Sequence, residues 1–158
     1  MFEIRQGDIF SYVENPINTT GIVNTVNCVG TMGAGLALEF KKRYPAMVKE
    51  YSKLCKKGGM TIGQVWPWHE HEGHCNDHPC VYVINFPAKD HWKNPSRLEW
   101  IASGIDSLKV VVENLHIETL VLPALGCGLG GLKFDDVAAL VDDKLGGLET
   151  FTILLTPQ

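Results

Sequence analysis

Apolar residues along the chain follow two alternating patterns: short runs rich in β-branched residues, and longer stretches with helical spacing. The short runs predict strands at 2–5, 21–27, 64–68, 81–85, 120–124 and 150–155. The longer stretches predict helices at about 36–44, 46–57, 96–115 and 135–145. Strands that alternate with helices indicate an α/β fold with a mostly parallel or mixed sheet, covered on both faces.

Two of these strands run into a glycine-rich loop and then a helix, in residues 21–45 and again in 119–145. Glycines let a phosphate approach the backbone closely, and a helix N-terminus presents unpaired N–H groups and a positive dipole end. One such loop is often only a tight turn, so the pair is more specific than either loop alone. The pair predicts a site for two adjacent phosphates, held by backbone groups rather than by basic side chains.

The second loop contains Gly126, Gly128 and Gly131 at the G-x-G-x-x-G spacing of dinucleotide-binding folds. Those folds need several strands around that unit, whereas only one predicted strand follows here. Neither loop ends in Gly-Lys-Ser or Gly-Lys-Thr, which argues against a P-loop nucleotidase. A nucleotide-diphosphate site of another kind is therefore expected.

The composition of the 158 residues is that of an ordinary globular protein, so we expect one domain over 1–158. The formal net charge of −4 argues against strong sequence-independent binding to nucleic acid, but permits a nucleic acid recognised through one modified base. The sequence has no apolar run of about 18 residues and no signal peptide at its start, so we expect no membrane partner. Five scattered cysteines, an odd number, indicate a reduced, cytoplasmic protein.

A polar segment at 69–80 holds four of the six histidines and two of the five cysteines. His74, Cys75, His78 and Cys80 could bind zinc tetrahedrally, but their spacing matches no standard zinc signature. We favour a polar loop between two strands, and we expect neither a metal nor a cofactor.

Four motifs together resemble those of a known family: NTVN at 24–27, GTMGAGLA at 30–37, INFPAKDHW at 84–92 and GCGLGGL at 126–132. They are similar to the motifs of macrodomains, and more narrowly of the DarG antitoxin macrodomain, in the branch of the terminal ADP-ribose protein glycohydrolase. The resemblance covers nearly the whole chain and implies a three-layer α/β/α sandwich that binds ADP-ribose. That ligand agrees with the two adjacent phosphates predicted from the glycine loops.

By resemblance, Asp8 accepts a hydrogen bond from the adenine amino group. Asn27 contacts the distal ribose, and Asn24 lies behind Asn27. The glycine loops would wrap the pyrophosphate and the distal ribose. An Asp in a turn and asparagines that cap the backbone are the structural alternatives for these three residues. The ADP-ribose contacts implied by the resemblance are Asp8, Ile9, Asn24, Asn27, Thr31, Met32, Gly33, Gly35, Leu36, Pro123, Gly126, Cys127, Gly128, Leu129 and Gly130.

Lys89 matches the lysine that these macrodomains need for activity, and Lys89 and Asn27 are the predicted catalytic residues. An uncharged amine, produced by burial beside a ligand, could act as a nucleophile or a base. A charged ammonium could instead stabilise negative charge on a leaving base. A solvated loop lysine is the structural alternative.

Gly130 distinguishes two subfamilies. The protein-directed terminal glycohydrolases carry a catalytic Asp directly after the GCGL motif, whereas this chain has glycine there, as DarG-like enzymes do. The resemblance therefore favours hydrolysis of the N-glycosidic bond between ADP-ribose and a DNA base, with thymine expected. Trp92 and His91 are candidates for stacking on the modified base or a neighbouring one, and a buried core aromatic is the alternative for Trp92.

The implied function is a cofactor-free ADP-ribosyl hydrolase that acts on ADP-ribosylated single-stranded DNA and reverses a DarT-like DNA ADP-ribosyltransferase toxin. Alternatives are hydrolysis of protein-linked or acetylated ADP-ribose or of ADP-ribose 1″-phosphate, and a non-catalytic ADP-ribose reader. We expect a monomer, and we expect no neutralisation by direct toxin binding because the chain ends soon after the last predicted strand. Two basic sets, 41–43 and Lys53, Lys56 and Lys57, could contact the DNA strand or form solvated helix faces.

Overall fold

A six-stranded sheet forms the centre of the structure, a computed structural model that describes residues 1–70 and 79–158. Its strands are β1 (Phe2–Arg5), β2 (Thr20–Asn27), β3 (Trp66–His69), β4 (Val81–Lys89), β5 (Thr119–Leu122) and β6 (Phe151–Leu155). The helices are α1 (Ser11–Glu14), α2 (Gly35–Arg43), α3 (Pro45–Lys56), α4 (Leu98–Asn114) and α5 (Phe134–Leu145). The strand order is β1-β6-β5-β2-β4-β3, and β3 pairs antiparallel with β4 while the other described pairs are parallel.

Helices cover both faces of this sheet, so the structure confirms the three-layer α/β/α sandwich. Side chains alternate between the faces along each strand, and neighbouring residues of β2 enter different cores. Val23 packs in a cluster with α4 and α5, whereas Ile22 packs in a second cluster with α2 and α3. Both side chains are fully buried. Because the central strands are buried on both faces, their sequences are almost continuously apolar.

The main difference from the sequence-based prediction is the length of β4, which continues from Asn85 to Lys89. The predicted loop at 86–95 is therefore wrong over its first four residues. Pro87 has no backbone N–H to donate to a neighbouring strand. On one side of β4, the pairing with β3 ends at Asn85. On the other side, the pairing with β2 continues to Lys89. Pro87 thus lies where one side of β4 has no strand neighbour, and the extra residues place Lys89 at a strand end.

Local sequence signals account for two helix starts. Pro45 begins α3, where its missing N–H costs no helical hydrogen bond. The one-turn helix α1 was not predicted; it follows a turn in which the backbone N–H of Phe10 donates to Asp8 Oδ1 at 3.0 Å. Asp8 therefore does occupy a turn, the structural alternative for this residue.

The cysteine and metal predictions are tested only in part. His74, Cys75 and His78 of the predicted alternative zinc set lie outside the described residues. Cys28, Cys55 and Cys127 are free, whereas Cys80 is disulfide-bonded, which differs from the expectation of a fully reduced chain. In residues 1–70 and 79–158 no group of His, Cys, Asp or Glu side chains could hold a metal ion. No helix in those ranges is long and apolar enough to cross a membrane.

Candidate active site

A cleft of about 1040 Å³ opens at the carboxyl ends of the parallel strands. Open α/β sheets bind ligands at this edge, and this volume is at the upper end of what small-molecule pockets occupy. The segments that line it are the turn at 7–10, the first glycine loop (28–34), the start of α2, the rim loop (90–97), the second glycine loop (123–133) and residues 155–158.

Most of the predicted site residues line this cleft. They are Asp8, Ile9, Asn27, Thr31, Gly33, Gly35, Leu36, Lys89, Trp92, Pro123, Gly126, Gly128, Leu129 and Gly130. Four others, Asn24, Met32, His91 and Cys127, do not line it. Asn24 is fully buried and donates to Asn85 Oδ1 at 3.1 Å, which places it behind the residues that line the cleft.

Asn27 organises the first glycine loop. Its Oδ1 accepts hydrogen bonds from the backbone N–H of Val29 at 3.0 Å and of Thr31 at 3.3 Å, and its Nδ2 donates to the carbonyl of Thr31 at 2.8 Å. The buried hydroxyl of Tyr51 donates to the Asn27 carbonyl at 2.7 Å. The capping alternative is thus correct for this residue. The amide nitrogen carries two hydrogens, and the described residues accept only one of them, so the other can serve a ligand.

Lys89 lies directly beside Asn27, because the two residues are register partners in the β2–β4 ladder. The structure thus brings the two predicted catalytic residues together. Lys89 Nζ donates to the Trp92 carbonyl at 3.5 Å, a long hydrogen bond. Among the described residues no carboxylate lies within 4.0 Å of this nitrogen. Lys89 therefore lines the cleft without a carboxylate partner among the described residues, and its nitrogen is available to a ligand.

The start of α2 supplies a candidate surface for a phosphate. Residues 33–37 line the cleft, and Ala34, the N-cap residue, offers no side-chain hydrogen bond to the first turn. The first N–H groups of a helix have no partner within it. They are consequently available to an anion, as the glycine pattern predicted.

The second glycine loop packs too closely for side chains at two of its glycines, Gly126 and Gly130. Gly126 has φ +72°, a left-handed conformation that favours glycine. A Cβ on Gly130 would collide with the Gly126 carbonyl oxygen and lie 2.6 Å from Ser96 Oγ. The backbone N–H of Ser96 also donates to the Gly130 carbonyl, at 3.0 Å. This loop conformation has no space for the Asp that the resemblance associates with protein-directed glycohydrolases at this position. In contrast to the first unit, its helix, α5, begins only at Phe134, beyond the glycines.

Ser96 and Arg43 line the cleft but were not predicted as site residues. Ser96 is 6% exposed, and among the described residues its hydroxyl has no hydrogen-bond partner. No motif marked it. Arg43 was predicted only as part of a basic run; its guanidinium lies 4.1 Å from the centre of the Phe10 ring. Helical periodicity could have found it, because Leu36, Glu39 and Arg43 share one face of α2.

Cys28 follows Asn27 and is the thiol closest in sequence to the predicted catalytic pair. Burial, with a smaller contribution from Cys55, raises the pKa of Cys28 to about 11. A thiol with this pKa is protonated at neutral pH, and only the thiolate is a strong nucleophile. The chemistry of the cleft therefore rests on other groups.

Trp92 is 51% exposed and is not a core aromatic, so that alternative is wrong. Its ring centre lies 5.4 Å from that of His91. Both residues belong to the rim loop, directly after the strand that carries Lys89. The stacking role remains a prediction, but the exposed indole needed for it is present.

Comparisons with known proteins agree with this geometry. A family model described as Macro domain matches residues 23–141. The DNA ADP-ribosyl glycohydrolase of Mycobacterium tuberculosis is 46% identical over 120 residues, which are 76% of this chain and 33% of that protein. The chain thus spans about a third of the length of that curated relative.

Solved structures show the same fold. The macrodomain of Mycobacterium tuberculosis DarG matches with a TM-score of 0.87 and 38% identity, over 100% of this chain and 99% of that one. Thermosipho africanus DarTG in complex with ADP-ribose matches with a TM-score of 0.83 and 31% identity, over 98% of this chain and 41% of that one. The family model, the fold and the position of the cleft all agree, and the chain belongs to the Macro domain family.

Proposed function

We propose that the protein is an ADP-ribosyl glycohydrolase that removes ADP-ribose from DNA bases, with thymine the expected base, and reverses a DarT-like transferase. The observation that carries this proposal is the placement of Lys89 beside Asn27, in a cleft bounded by two glycine loops. The name of the mycobacterial relative, a DNA ADP-ribosyl glycohydrolase, supports the DNA substrate. The bound ligand named for Thermosipho DarTG supports ADP-ribose as the group that is recognised.

The cleft offers separate surfaces for each part of ADP-ribose. Asp8 Oδ1 already accepts the N–H of Phe10, and we assign the second carboxylate oxygen to the adenine amino group. The pyrophosphate is assigned to the backbone of the two glycine loops and the start of α2. The distal ribose then lies against Asn27, beside Lys89. Binding of the whole ligand would fix the anomeric carbon at the catalytic pair and supply much of the rate acceleration.

The reaction is hydrolysis of one C–N bond. A water oxygen bonds to the anomeric carbon and the water gives up one proton, the bond to the thymine nitrogen breaks with its electron pair leaving on the base, and the base takes up one proton from solvent. We propose that Lys89 acts as an ammonium that stabilises the negative charge developing on the base. The absence of a described carboxylate within 4.0 Å of its nitrogen supports this role, because no protein anion competes with the leaving base for the contact.

The test uses two substrates: a single-stranded oligonucleotide with ADP-ribosylated thymine, and a protein ADP-ribosylated on glutamate. We expect the wild type to clear the DNA substrate preferentially. Lys89→Ala should lower kcat by about 10²–10³, the usual loss for one charge-stabilising donor. Lys89→Arg keeps the charge but cannot act as an amine nucleophile, so substantial activity in that variant would support the ammonium role. Lys57→Ala, a change at the exposed C-cap residue that follows α3, is the control.

Each other outcome assigns a different function. Release from the protein alone would identify a protein-directed hydrolase. Calorimetric binding of ADP-ribose without turnover of either substrate would identify a reader. A fully inactive Lys89→Arg that still binds ADP-ribose would contradict the ammonium role and support a nucleophile or base.

A further inference from the structure

The rim loop places exposed aromatic and cationic groups together at the edge of the cleft. Trp92 is half exposed, and Lys93 Nζ lies 5.2 Å from the centre of its ring. Further along, the Arg97 guanidinium lies 5.2 Å from the centre of the Trp100 ring. Alternation of cations with aromatic faces is the composition that binds single-stranded nucleic acid, because phosphates pair with the cations and bases stack on the rings.

An exposed apolar residue lies on the neighbouring loop. Leu129 is 85% exposed, although large apolar side chains are usually buried. The hydrogen bond from the Ser96 N–H to the Gly130 carbonyl joins the second glycine loop to the rim loop. Leu129 and Trp92 both line the mouth of the cleft. Two exposed apolar side chains from adjoining loops thus border the cleft that contains Lys89 and Asn27.

Local hydrogen bonds hold the rim loop in this conformation. Asp90 Oδ1 accepts the N–H of His91 at 2.7 Å and the side-chain amide of Asn94 at 3.1 Å. The N–H of Lys93 donates to His91 Nδ1 at 3.1 Å, and the N–H of Cys28 donates to the Asp90 carbonyl at 3.2 Å. Because these bonds form within the loop and to its neighbour Cys28, they favour one loop conformation and reduce the ordering entropy that would oppose binding.

The cations of the loop are available to a ligand. Arg97 contacts Glu99 at 3.8 Å, but both side chains are well over half exposed, and pairs of this kind contribute about 0–1 kcal/mol. A phosphate can replace that partner at little cost. Lys93 has no carboxylate within 4.0 Å among the described residues. The chain as a whole carries a net charge of −4, so phosphate contacts must come from a local surface such as this one.

We infer that the rim loop, with Leu129, is a docking surface for the unmodified single-stranded DNA that flanks the ADP-ribosylated nucleotide. Bases of the flanking strand stack on Trp92 and pack against Leu129, and their phosphates pair with Lys93 and Arg97. A duplex is excluded, because its bases are already stacked and cannot reach these side chains. The inference rests on the proposed function and adds a second recognition surface to it. The basic set at the C-terminal end of α3, which consists of Lys53, Lys56 and the C-cap residue Lys57, has no comparable cation–aromatic pair among the described contacts.

The experiment compares kcat/KM for ADP-ribosylated thymidine monophosphate with that for an ADP-ribosylated oligonucleotide of about twelve nucleotides, a length typical of single-strand sites. We expect the wild type to prefer the oligonucleotide at least tenfold. The double variant Lys93→Gln/Arg97→Gln should lose that preference. Its slope of log affinity against log salt should fall by about 1.4, because each single-strand phosphate contact contributes about 0.7. The matched double variant Lys53→Gln/Lys57→Gln should keep the preference.

Equal preference in the rim variant and the wild type, or no length preference in the wild type, would overturn the inference. If the wild type hydrolyses neither substrate, the proposed function fails, but fluorescence anisotropy with a labelled ADP-ribosylated oligonucleotide still tests the surface. Weaker binding by the rim variant alone would then support the inference, and equal binding would refute it. Thermal unfolding of both double variants shows whether they are folded, since all four lysine and arginine side chains are exposed.

Discussion

Ser96 is a buried residue whose hydroxyl has no described partner, and such groups are uncommon because an unpaired buried polar atom costs about 1–3 kcal/mol. It lines the cleft between Gly126 and Gly130, where the distal part of the ligand is expected. At the scale of single residues, we therefore expect the Ser96 hydroxyl to form its hydrogen bond with the bound ligand.

Ser96→Ala should therefore separate stability from binding. We expect the free energy of unfolding to stay within about 0.5 kcal/mol of wild type or to rise, because no described hydrogen bond is lost. Affinity for ADP-ribose should fall about 2–12-fold, the equivalent of one hydrogen bond of about 0.5–1.5 kcal/mol. Thr152→Val is the control, because Thr152 Oγ1 is equally buried and unpaired but lies on β6, outside the cleft. Unchanged affinity in Ser96→Ala, measured by calorimetry, would contradict the assignment.

Cys28 leads to a prediction about pH. Burial favours its neutral form, so its folded-state pKa of about 11 lies above the ordinary value of 9.0. The stabilisation from the neutral thiol is therefore complete below about pH 9 and is lost as the pH rises through about 11. We expect iodoacetamide to alkylate native Cys28 slowly at pH 8 and much faster near pH 11, as followed by peptide mass spectrometry. Rapid alkylation of the native protein at pH 8, at the rate of the urea-unfolded chain, would show that the thiol is not protected.

At the scale of secondary-structure elements, two neighbouring strands position the two predicted catalytic residues. The β2–β4 ladder sets the distance between Asn27 and Lys89, and a register shift between Val26 and Asn27 occurs just before their pairing. The second glycine loop depends on close backbone packing against Ser96 instead of on side-chain contacts.

Gly130→Ala should disrupt this packing. Its Cβ would meet the Gly126 carbonyl and Ser96 Oγ, and overpacking of this kind typically costs about 1–3 kcal/mol. We expect a lower midpoint of thermal unfolding together with weaker ADP-ribose binding. Gly128→Ala is the matched control, because nothing lies within 4 Å of a Cβ there, and its stability should not change. If Gly130→Ala were as stable as Gly128→Ala, the loop could accept a side chain and the steric argument for the missing Asp would fail.

At the scale of the whole molecule, ligand binding is coupled to the stability of the fold. The reason is that the cleft is built from segments that follow five strands, β1, β2, β4, β5 and β6. A ligand that binds only the folded state stabilises it by about 2.7 kcal/mol when present at about 100 times its Kd. For a domain of this size we expect ADP-ribose at that concentration to raise Tm by about 5–10 °C. Lys89→Ala should keep the shift, because the residue is assigned to the chemical step. A missing shift in the wild type, measured by differential scanning calorimetry, would remove ADP-ribose as the ligand.

Much of the fold and of the site was predictable from local patterns. Strand and helix order follows from apolar periodicity, and the glycine positions marked two of the backbone segments that line the cleft. Lys89 was found through its motif, but its strand-end position was not, because Pro87 suggested a loop and the pairing that tolerates it depends on where β3 ends.

The sequence by itself determined the α/β class, the two glycine loops and the family, because these depend on local periodicity and on motifs, and from the same motifs it predicted Lys89 and Asn27 as the catalytic pair. Only the tertiary structure decided which residues share the cleft. The contact of Ser96 with Gly130, the position of Arg43 over Phe10, and the exposure of Trp92 and Leu129 all depend on packing between segments distant in sequence. Such contacts follow from the crossing of strands and the stacking of helices, and no local pattern of residues encodes them.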